Sequence, residues 1–129
     1  FIGRVNIFKA RVVERGLDNG YGMIYIETGE NIPLKCKIPS HVKDVCSAII
    51  RANEIHITPD PAKYKENVIV GTVSEISFRG QMIDIRLTLS NENILTISTH
   101  RFDNVFKAIK VGETAYAYVD PQSIILTID

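Results

Sequence analysis

The sequence lacks the features that mark several large classes of protein. It has no tryptophan and no excess of charge, because 15 lysines and arginines balance 15 aspartates and glutamates. A general nucleic-acid binder presents a basic surface to the phosphate backbone, so this balance argues against that class. No apolar run approaches the roughly 20 residues of a membrane-spanning helix. The sequence also has no basic segment followed by an apolar segment, which is the pattern of a signal peptide.

Catalytic and metal-binding motifs are also missing. The sequence has no Gly-x-x-x-x-Gly-Lys-Ser/Thr loop, which cradles the phosphates of ATP in ATPases. The two cysteines, Cys36 and Cys46, and the three histidines do not follow the spacing of zinc ligands. No serine lies in the context of a nucleophile elbow. We therefore expect no enzyme activity, no metal and no cofactor in this segment, and we expect both cysteines to be buried thiols.

Alternation of apolar and polar residues with a period of two is the dominant pattern, as in Ile83-Asp84-Ile85-Arg86-Leu87. Such alternation predicts half-buried strands. Ten strands are predicted, at residues 7–14, 21–27, 32–38, 47–51, 55–58, 68–73, 83–89, 94–99, 115–119 and 124–128. Short helices are predicted at residues 40–46 and 102–109, where Ser40 and Asp103 are suitable first residues.

The chain also repeats itself once. Three segments of the first half recur in the second, at offsets of 61 positions from Asn6 to Asn67, 62 from Ile32 to Ile94, and 69 from Ala48 to Ala117. Each copy has about five strands, which suits a small barrel of the OB type. We predict an all-β fold of tandem OB-like barrels in one compact unit. Residues 1–58 form the first repeat, residues 59–66 a proline-containing linker, and residues 67–129 the second repeat.

A repeat of about 60 residues is close to the lower limit for an independent hydrophobic core. We therefore expect the two copies to pack on each other or to exchange strands. An open sheet edge would also favour a homodimer.

Four short stretches, spread over nearly the whole chain, match one family pattern in order and spacing. They are Phe1-Ile2-Gly3-Arg4-Val5-Asn6, Ile50-Arg51-Ala52-Asn53-Glu54-Ile55-His56-Ile57, Ser77-Phe78-Arg79-Gly80 and Val111-Gly112-Glu113-Thr114-Ala115. Together they resemble the C-terminal regulatory region of ABC-importer ATPase subunits. That region carries TOBE domains, which are related to the MOP domains of molybdate-binding proteins. Ala52 and Asn53 depart from the usual Pro and Glu of the family.

The resemblance implies a non-catalytic regulatory and dimerisation domain of an ABC importer. Its implied partners are a second copy, the ATPase domain of the same chain and the membrane subunits of the transporter. Its implied location is the cytoplasm, at the inner face of the membrane. Because the sequence opens on Phe1 rather than Met, we expect it to be a piece of a longer protein whose ATPase domain precedes it.

An alternative function is the sensing of an oxyanion such as molybdate, tungstate or sulfate. The resemblance to MOP domains implies donors from three segments, which correspond here to residues 64–67, 98–102 and 120–122. Glu66 and Asp120 replace the two cations of that pattern, and their carboxylates would repel a dianion. The predicted ligand-binding residues, expected at the junction of the repeats, are Lys65, Asn67, Thr99, His100 and Arg101.

A third hypothesis is an OB-fold nucleic-acid binder. Aromatic side chains on an OB barrel can form a platform on which bases stack, and the candidates are Tyr21, Tyr25, Phe78, Tyr116 and Tyr118. Packing in the core or in an interface is the alternative role for these side chains. Because the net charge is zero, we expect no nucleic-acid partner.

Overall fold

The computed structural model of this protein describes residues 4–16 and 18–127. Ten strands and five short 3-10 turns account for the regular structure in these ranges. The strands are β1 (Val5–Glu14), β2 (Tyr21–Glu27), β3 (Asn31–Lys37), β4 (Val45–Arg51), β5 (Ile55–Thr58), β6 (Val68–Arg79), β7 (Met82–Thr88), β8 (Ile94–His100), β9 (Thr114–Val119) and β10 (Ile124–Thr127). The predicted all-β class is confirmed. Phe1, Ile2, Gly3 and Ile128, which the predictions include, lie outside the described residues.

The strands form two antiparallel sheets of five strands each. Their orders are β10-β4-β1-β2-β3 and β5-β9-β6-β7-β8. In each sheet the two edge strands approach each other, β3 beside β10 and β5 beside β8, so both sheets curl into OB-like barrels. The inward-facing side chains, such as Leu34 in the first barrel and Ile97 in the second, are fully buried.

Each barrel contains one strand from the other half of the chain. The last strand, β10, pairs with β4 in the first barrel, where Ile125 lies opposite Ile49. In return, β5 from the first half pairs with β9 in the second barrel, where Ile57 lies opposite Ala117. The two copies therefore exchange strands, and neither half contains all the strands of one barrel.

Two buried asparagines at equivalent positions tie the barrels together. Asn6, on β1, donates from Nδ2 to the carbonyl of Thr96 at 2.9 Å and accepts at Oδ1 from the Thr96 amide at 2.8 Å. Asn67 makes the same pair of bonds with Lys35, at 2.8 Å for each. Asn6 thus holds β8 of the second barrel, and Asn67 holds β3 of the first barrel.

These contacts also determine the register of the repeat. They equate Lys35 with Thr96, an offset of 61 positions, and the offset of 62 predicted for this segment is therefore wrong by one residue. Burial supports the correction, because Leu34 and Leu95 become equivalent and both are 0% exposed. A shift of one residue exchanges the inner and outer faces of a strand, so only one offset keeps the apolar residues inside.

The helix predicted at residues 40–46 is wrong. This segment is a turn in which the Val42 amide donates to the carbonyl of Pro39 at 3.1 Å. The carbonyl of Asp44 accepts from the amide of Val12 on β1 at 2.7 Å, and the next residues, Val45 and Cys46, already belong to β4. The helix predicted at residues 102–109 is present as a short 3-10 helix, Asn104–Ala108. No helix in the described ranges is long and apolar enough to cross a membrane.

Both cysteines lie in the core of the first barrel, as predicted. Cys36 and Cys46 are buried and are not joined by a disulfide. Burial raises the pKa of Cys36 to about 12, and the neighbouring Cys46 adds to the rise. A protonated and enclosed thiol is a poor nucleophile, so Cys36 acts as a small apolar side chain.

We expect Asn67→Ala to lower the free energy of unfolding by roughly 2–4 kcal/mol. The substitution removes the bonds to Lys35 and a third bond, from Nδ2 to the carbonyl of Val119 at 3.0 Å. Alanine would also have to adopt the positive φ of 56° found at this position. Urea denaturation followed by circular dichroism measures the loss.

Asn6→Ala is the matched control, because Asn6 makes equivalent bonds without a positive φ. It should lower the free energy of unfolding by about 1 kcal/mol less than Asn67→Ala does, because it does not force an alanine into the left-handed conformation. A neutral surface substitution changes the free energy of unfolding by up to about 0.5 kcal/mol. If both variants stay within that range of the parent protein, the asparagines do not hold the barrels together.

Candidate anion-binding site

A cavity of about 440 Å³ opens at the seam where β5 and β8 close the second barrel. Its buried members, Ile55, Ile57 and Ser98, form the floor. Half-buried side chains form the walls: Tyr64, Met82, Thr99 and Val105. The rim consists of exposed polar side chains: Asn53, His56, Lys63, His100 and Asp103. The cavity thus has an apolar base and a polar opening.

Two local features hold the linker against this opening. Asp60 forms a tight turn, in which its carboxylate accepts from the amide of Ala62 at 2.9 Å. Beyond the turn, the ring of Tyr64 stacks on that of Tyr118 in β9, with centroids 4.3 Å apart and planes at 8°. Lys63 lies between these anchors, with its Nζ 5.7 Å from the centroid of the Tyr64 ring. The linker therefore brings a positive charge to the rim.

The end of β8 supplies the other side of the opening. Thr99 donates from its hydroxyl to Asp103 at 3.3 Å, and Asp103 also accepts from the amide of Val105 at 3.0 Å. The Asp103 carboxylate is therefore engaged by its own loop. His100 accepts at Nδ1 from the amide of Phe102 at 3.3 Å, which leaves Nε2 as the donor of the neutral imidazole.

A buried carboxylate with two arginines lies next to the cavity. Asp84, on β7, is 5% exposed. It accepts from Arg79 at 3.1 and 3.3 Å and forms an ion pair with Arg4 at 2.8 Å. The hydroxyl of Ser98, on the cavity floor, donates to the same carboxylate at 2.7 Å. Two guanidinium groups on one carboxylate leave a net positive charge beside the cavity.

These contacts determine the titration of Asp84. Burial by itself would raise its pKa. The hydrogen bonds from Arg79 and Ser98, together with the charges of Arg79 and Arg4, outweigh burial and hold the pKa below its usual value. Asp84 is therefore ionised at neutral pH.

A second depression, of about 340 Å³, occupies a corresponding position on the first barrel. The repeat relates two of its lining residues, Asn19 and Gln122, to Met82 and Asn53 of the cavity. Its charged members are different, because Glu66 and Asp120 outnumber Lys35. This depression has an excess of carboxylates, whereas the cavity rim has one carboxylate, Asp103, beside Lys63 and two histidines.

The same carboxylates affect the pKa of Tyr118. Burial raises the pKa of this phenol, and the carboxylates of Asp120 and Glu66 raise it further, as does the neighbouring Tyr64. Glu66 and Asp120 therefore act on one region of the surface, as their positions in the family pattern imply.

The five residues predicted as ligands fall in three places. Thr99 and His100 line the cavity, whereas Lys65 and Asn67 line another depression of about 260 Å³. Asn67 is engaged with backbone groups of Lys35 and Val119. Arg101 is exposed, with its guanidinium carbon 5.7 Å from the centroid of the Phe102 ring. The structure thus places only two of the five, Thr99 and His100, at the cavity.

The sequence did not point to Asn53, His56 or Lys63 as neighbours of His100. Asn53 and His56 belong to the first repeat and reach the second barrel only through the exchange of β5. The available signal was the repeat itself, because it relates Asn53 to Gln122, within a segment already considered for binding.

The aromatic residues considered for base stacking do not share one surface. Tyr21 and Tyr25 lie on β2 of the first barrel, whereas Tyr116 and Tyr118 lie on β9 of the second. Phe78 makes an edge contact with Phe106, at 6.4 Å between ring centroids. Among the described residues, no group of three or more His, Cys, Asp or Glu side chains is placed to hold a metal ion.

The fold and the repeat define a tandem OB-like barrel domain, and comparison with known proteins identifies its family. The family model of the TOBE domain matches residues 48–126, which is more than half of the chain. The chain therefore belongs to the TOBE family, as predicted. Membership in this family of non-catalytic domains agrees with the expected lack of enzyme activity.

The same fold occurs in a solved structure of the cytoplasmic molybdate-binding protein ModG with molybdate bound. The two structures superimpose with a TM-score of 0.79 over 100% of this chain and 99% of that chain, at 19% sequence identity. The likeness confirms the tandem OB-type fold. No curated protein matches the chain.

We expect the lowered pKa of Asp84 to make the protein less stable in acid. The ionised carboxylate stabilises the folded state at neutral pH. This contribution begins to decrease near the ordinary carboxyl pKa of about 3.9 and is lost as the pH falls through the lower folded-state value. Urea denaturation at a series of pH values between 7 and 2 measures this change.

Asp84→Asn should remove this part of the acid dependence and lower stability at pH 7 by about 1–3 kcal/mol. Asp44→Asn is the control, since the Asp44 side chain is 75% exposed and forms one surface ion pair, with Arg15. The expectation fails if the two variants have the same stability at pH 7 and the same acid profile.

Proposed function

We propose that this chain is a regulatory domain that binds a small anion in the cavity between β5 and β8. The single observation that carries the proposal is the difference in charge between two depressions related by the internal repeat. The rim of the cavity has Lys63, His56 and His100 against one carboxylate, Asp103, whereas its counterpart has Glu66 and Asp120 against one lysine, Lys35. Membership in the TOBE family and the fold shared with a molybdate-binding protein support an oxyanion as the ligand.

The donors at the rim suit an anion. Lys63 supplies a permanent positive charge, and His100 presents Nε2 as a donor while Nδ1 is occupied by its own loop. Bonds from charged or N–H donors to oxyanions are among the stronger hydrogen bonds in proteins. The one carboxylate at the rim, Asp103, is engaged by Thr99 and Val105 and therefore opposes the anion less than an unpaired carboxylate would.

A continuous set of contacts supports a regulatory role. Ser98 on the cavity floor bonds to Asp84, and Asp84 bonds to Arg4, which directly precedes β1. An anion that shifts Ser98 would change the contact that holds the beginning of β1 against the second barrel. Occupancy of the cavity would thereby alter the position of the segment that enters the domain.

The finer setting is also a proposal. We propose that the domain belongs to the ATPase subunit of an ABC importer, in the cytoplasm at the inner face of the membrane, and that it functions as a homodimer. The sequence stretches at residues 50–57 and 111–115 support this setting. The reading frame upstream of Phe1 tests it, because a Walker-A ATPase domain is expected there and an unrelated upstream domain would contradict it.

We expect tungstate to bind in the cavity. Lys63→Ala should weaken binding by on the order of tenfold, through loss of a charged hydrogen bond. Isothermal titration calorimetry at pH 8 measures the affinities.

Lys35→Ala is the matched control, since it removes a lysine from the acidic depression and leaves the cavity intact. Its affinity for tungstate should equal that of the parent protein. If Lys35→Ala loses tungstate binding and Lys63→Ala retains it, the anion binds in the acidic depression and the proposal is wrong.

A further inference from the structure

We infer that the ligand of the cavity is an organic anion, with its anionic group at the rim and an apolar body on the floor. This inference rests on the proposed function and narrows its ligand class. A cavity of about 440 Å³ is larger than a tetrahedral oxyanion of five atoms can fill. Its volume lies within the range of roughly 300–1,000 Å³ that is typical of pockets for organic ligands.

The distribution of polar groups divides the cavity into two zones. Every lining group that can carry positive charge, namely His56, Lys63 and His100, is exposed and lies at the rim. The floor and walls present Ile55, Ile57 and Val105. A bare dianion in contact with these side chains would lose its hydration without gaining hydrogen bonds, which is strongly unfavourable.

The two hydroxyl groups on β8 do not change this conclusion. Ser98 donates to Asp84 at 2.7 Å and Thr99 donates to Asp103 at 3.3 Å, so both protons are already directed to carboxylates. An anion deep in the cavity would meet the oxygen lone pairs of these hydroxyls and the nearby negative charges. The favourable position for the charge is therefore the rim, and the favourable occupant of the floor is apolar.

The ligand class that satisfies both zones is a carboxylate or phosphate monoester on a body the size of a phenyl ring. Such a ligand keeps its charge near Lys63, where solvent also reaches it. Its ring replaces water on Ile55, Ile57 and Val105, and this burial adds affinity that an inorganic anion does not gain.

The test compares phenyl phosphate, benzoate, inorganic phosphate and tungstate by isothermal titration calorimetry on the full chain. Phenyl phosphate should bind on the order of tenfold more tightly than inorganic phosphate, as expected for partial burial of the ring. Benzoate distinguishes the two anionic groups: binding tighter than that of phenyl phosphate indicates a carboxylate ligand, and weaker binding indicates a phosphate ester.

Val105→Phe should fill the apolar zone and abolish the advantage of phenyl phosphate over inorganic phosphate. Circular dichroism shows whether the variant is folded. If the variant does not fold, nuclear Overhauser effects in the parent protein provide the same test. Contacts are expected between the phenyl protons and the methyl groups of Ile55, Ile57 and Val105.

The outcomes separate the two proposals. If tungstate binds and depends on Lys63 but phenyl phosphate binds no better than phosphate, the organic-anion inference is wrong and the proposed function stands. If phenyl phosphate binds more tightly without contacting Ile55, Ile57 or Val105, the inference is also wrong. If none of the four anions binds, both proposals fail.

Discussion

The exchange of one strand between the two halves is the constraint on which the rest of the structure depends. β10 completes the first barrel and β5 completes the second, so each core requires residues from both halves. The asparagine contacts strengthen this arrangement, since Asn6 and Asn67 each hold a strand of the opposite barrel. The cavity is a direct consequence, because β5 forms one of its sides and contributes His56 to its rim.

The repeat places the cavity and the acidic depression at related positions on the two barrels. The two differ in the charges of their side chains. Where the second copy has Glu66 and Asp120, the first copy has Val5 and Arg51 at the equivalent positions. The backbone contacts that shape the two positions are preserved, as the bonds of Asn6 and Asn67 show. Electrostatics can therefore differ between the two depressions without a change of fold, because exposed charges contribute little to stability.

Local pattern accounts for the parts of the structure that the sequence predicted well. The alternation at residues 21–27 and 55–58 placed β2 and β5 with their observed bounds. Apolar residues on one face of a strand are buried whichever strand lies alongside, so no knowledge of the partner was needed. The family could be recognised for a similar reason, since each of its motifs is a short, local stretch of sequence.

The helix prediction that failed depended on a long-range partner. The segment at residues 40–46 has a suitable first residue for a helix, but the carbonyl of Asp44 is bonded to Val12 on β1, far away in sequence. The ligand set taken from residues 64–67, 98–102 and 120–122 stays a prediction, and the cavity also draws Asn53 and His56 from the exchanged half. Neither partner can be inferred from periodicity, because periodicity contains no information on which strands become neighbours.

The central claim is that an anion binds at the seam between β5 and β8 and not in the acidic depression. The most direct measurement is an anomalous difference map from a crystal soaked in tungstate, recorded at the tungsten absorption edge. We predict a peak at the cavity rim, with a tungstate oxygen about 3 Å from Nζ of Lys63 or Nε2 of His100. A peak beside Lys35 and Gln122, with the seam empty, would contradict the claim.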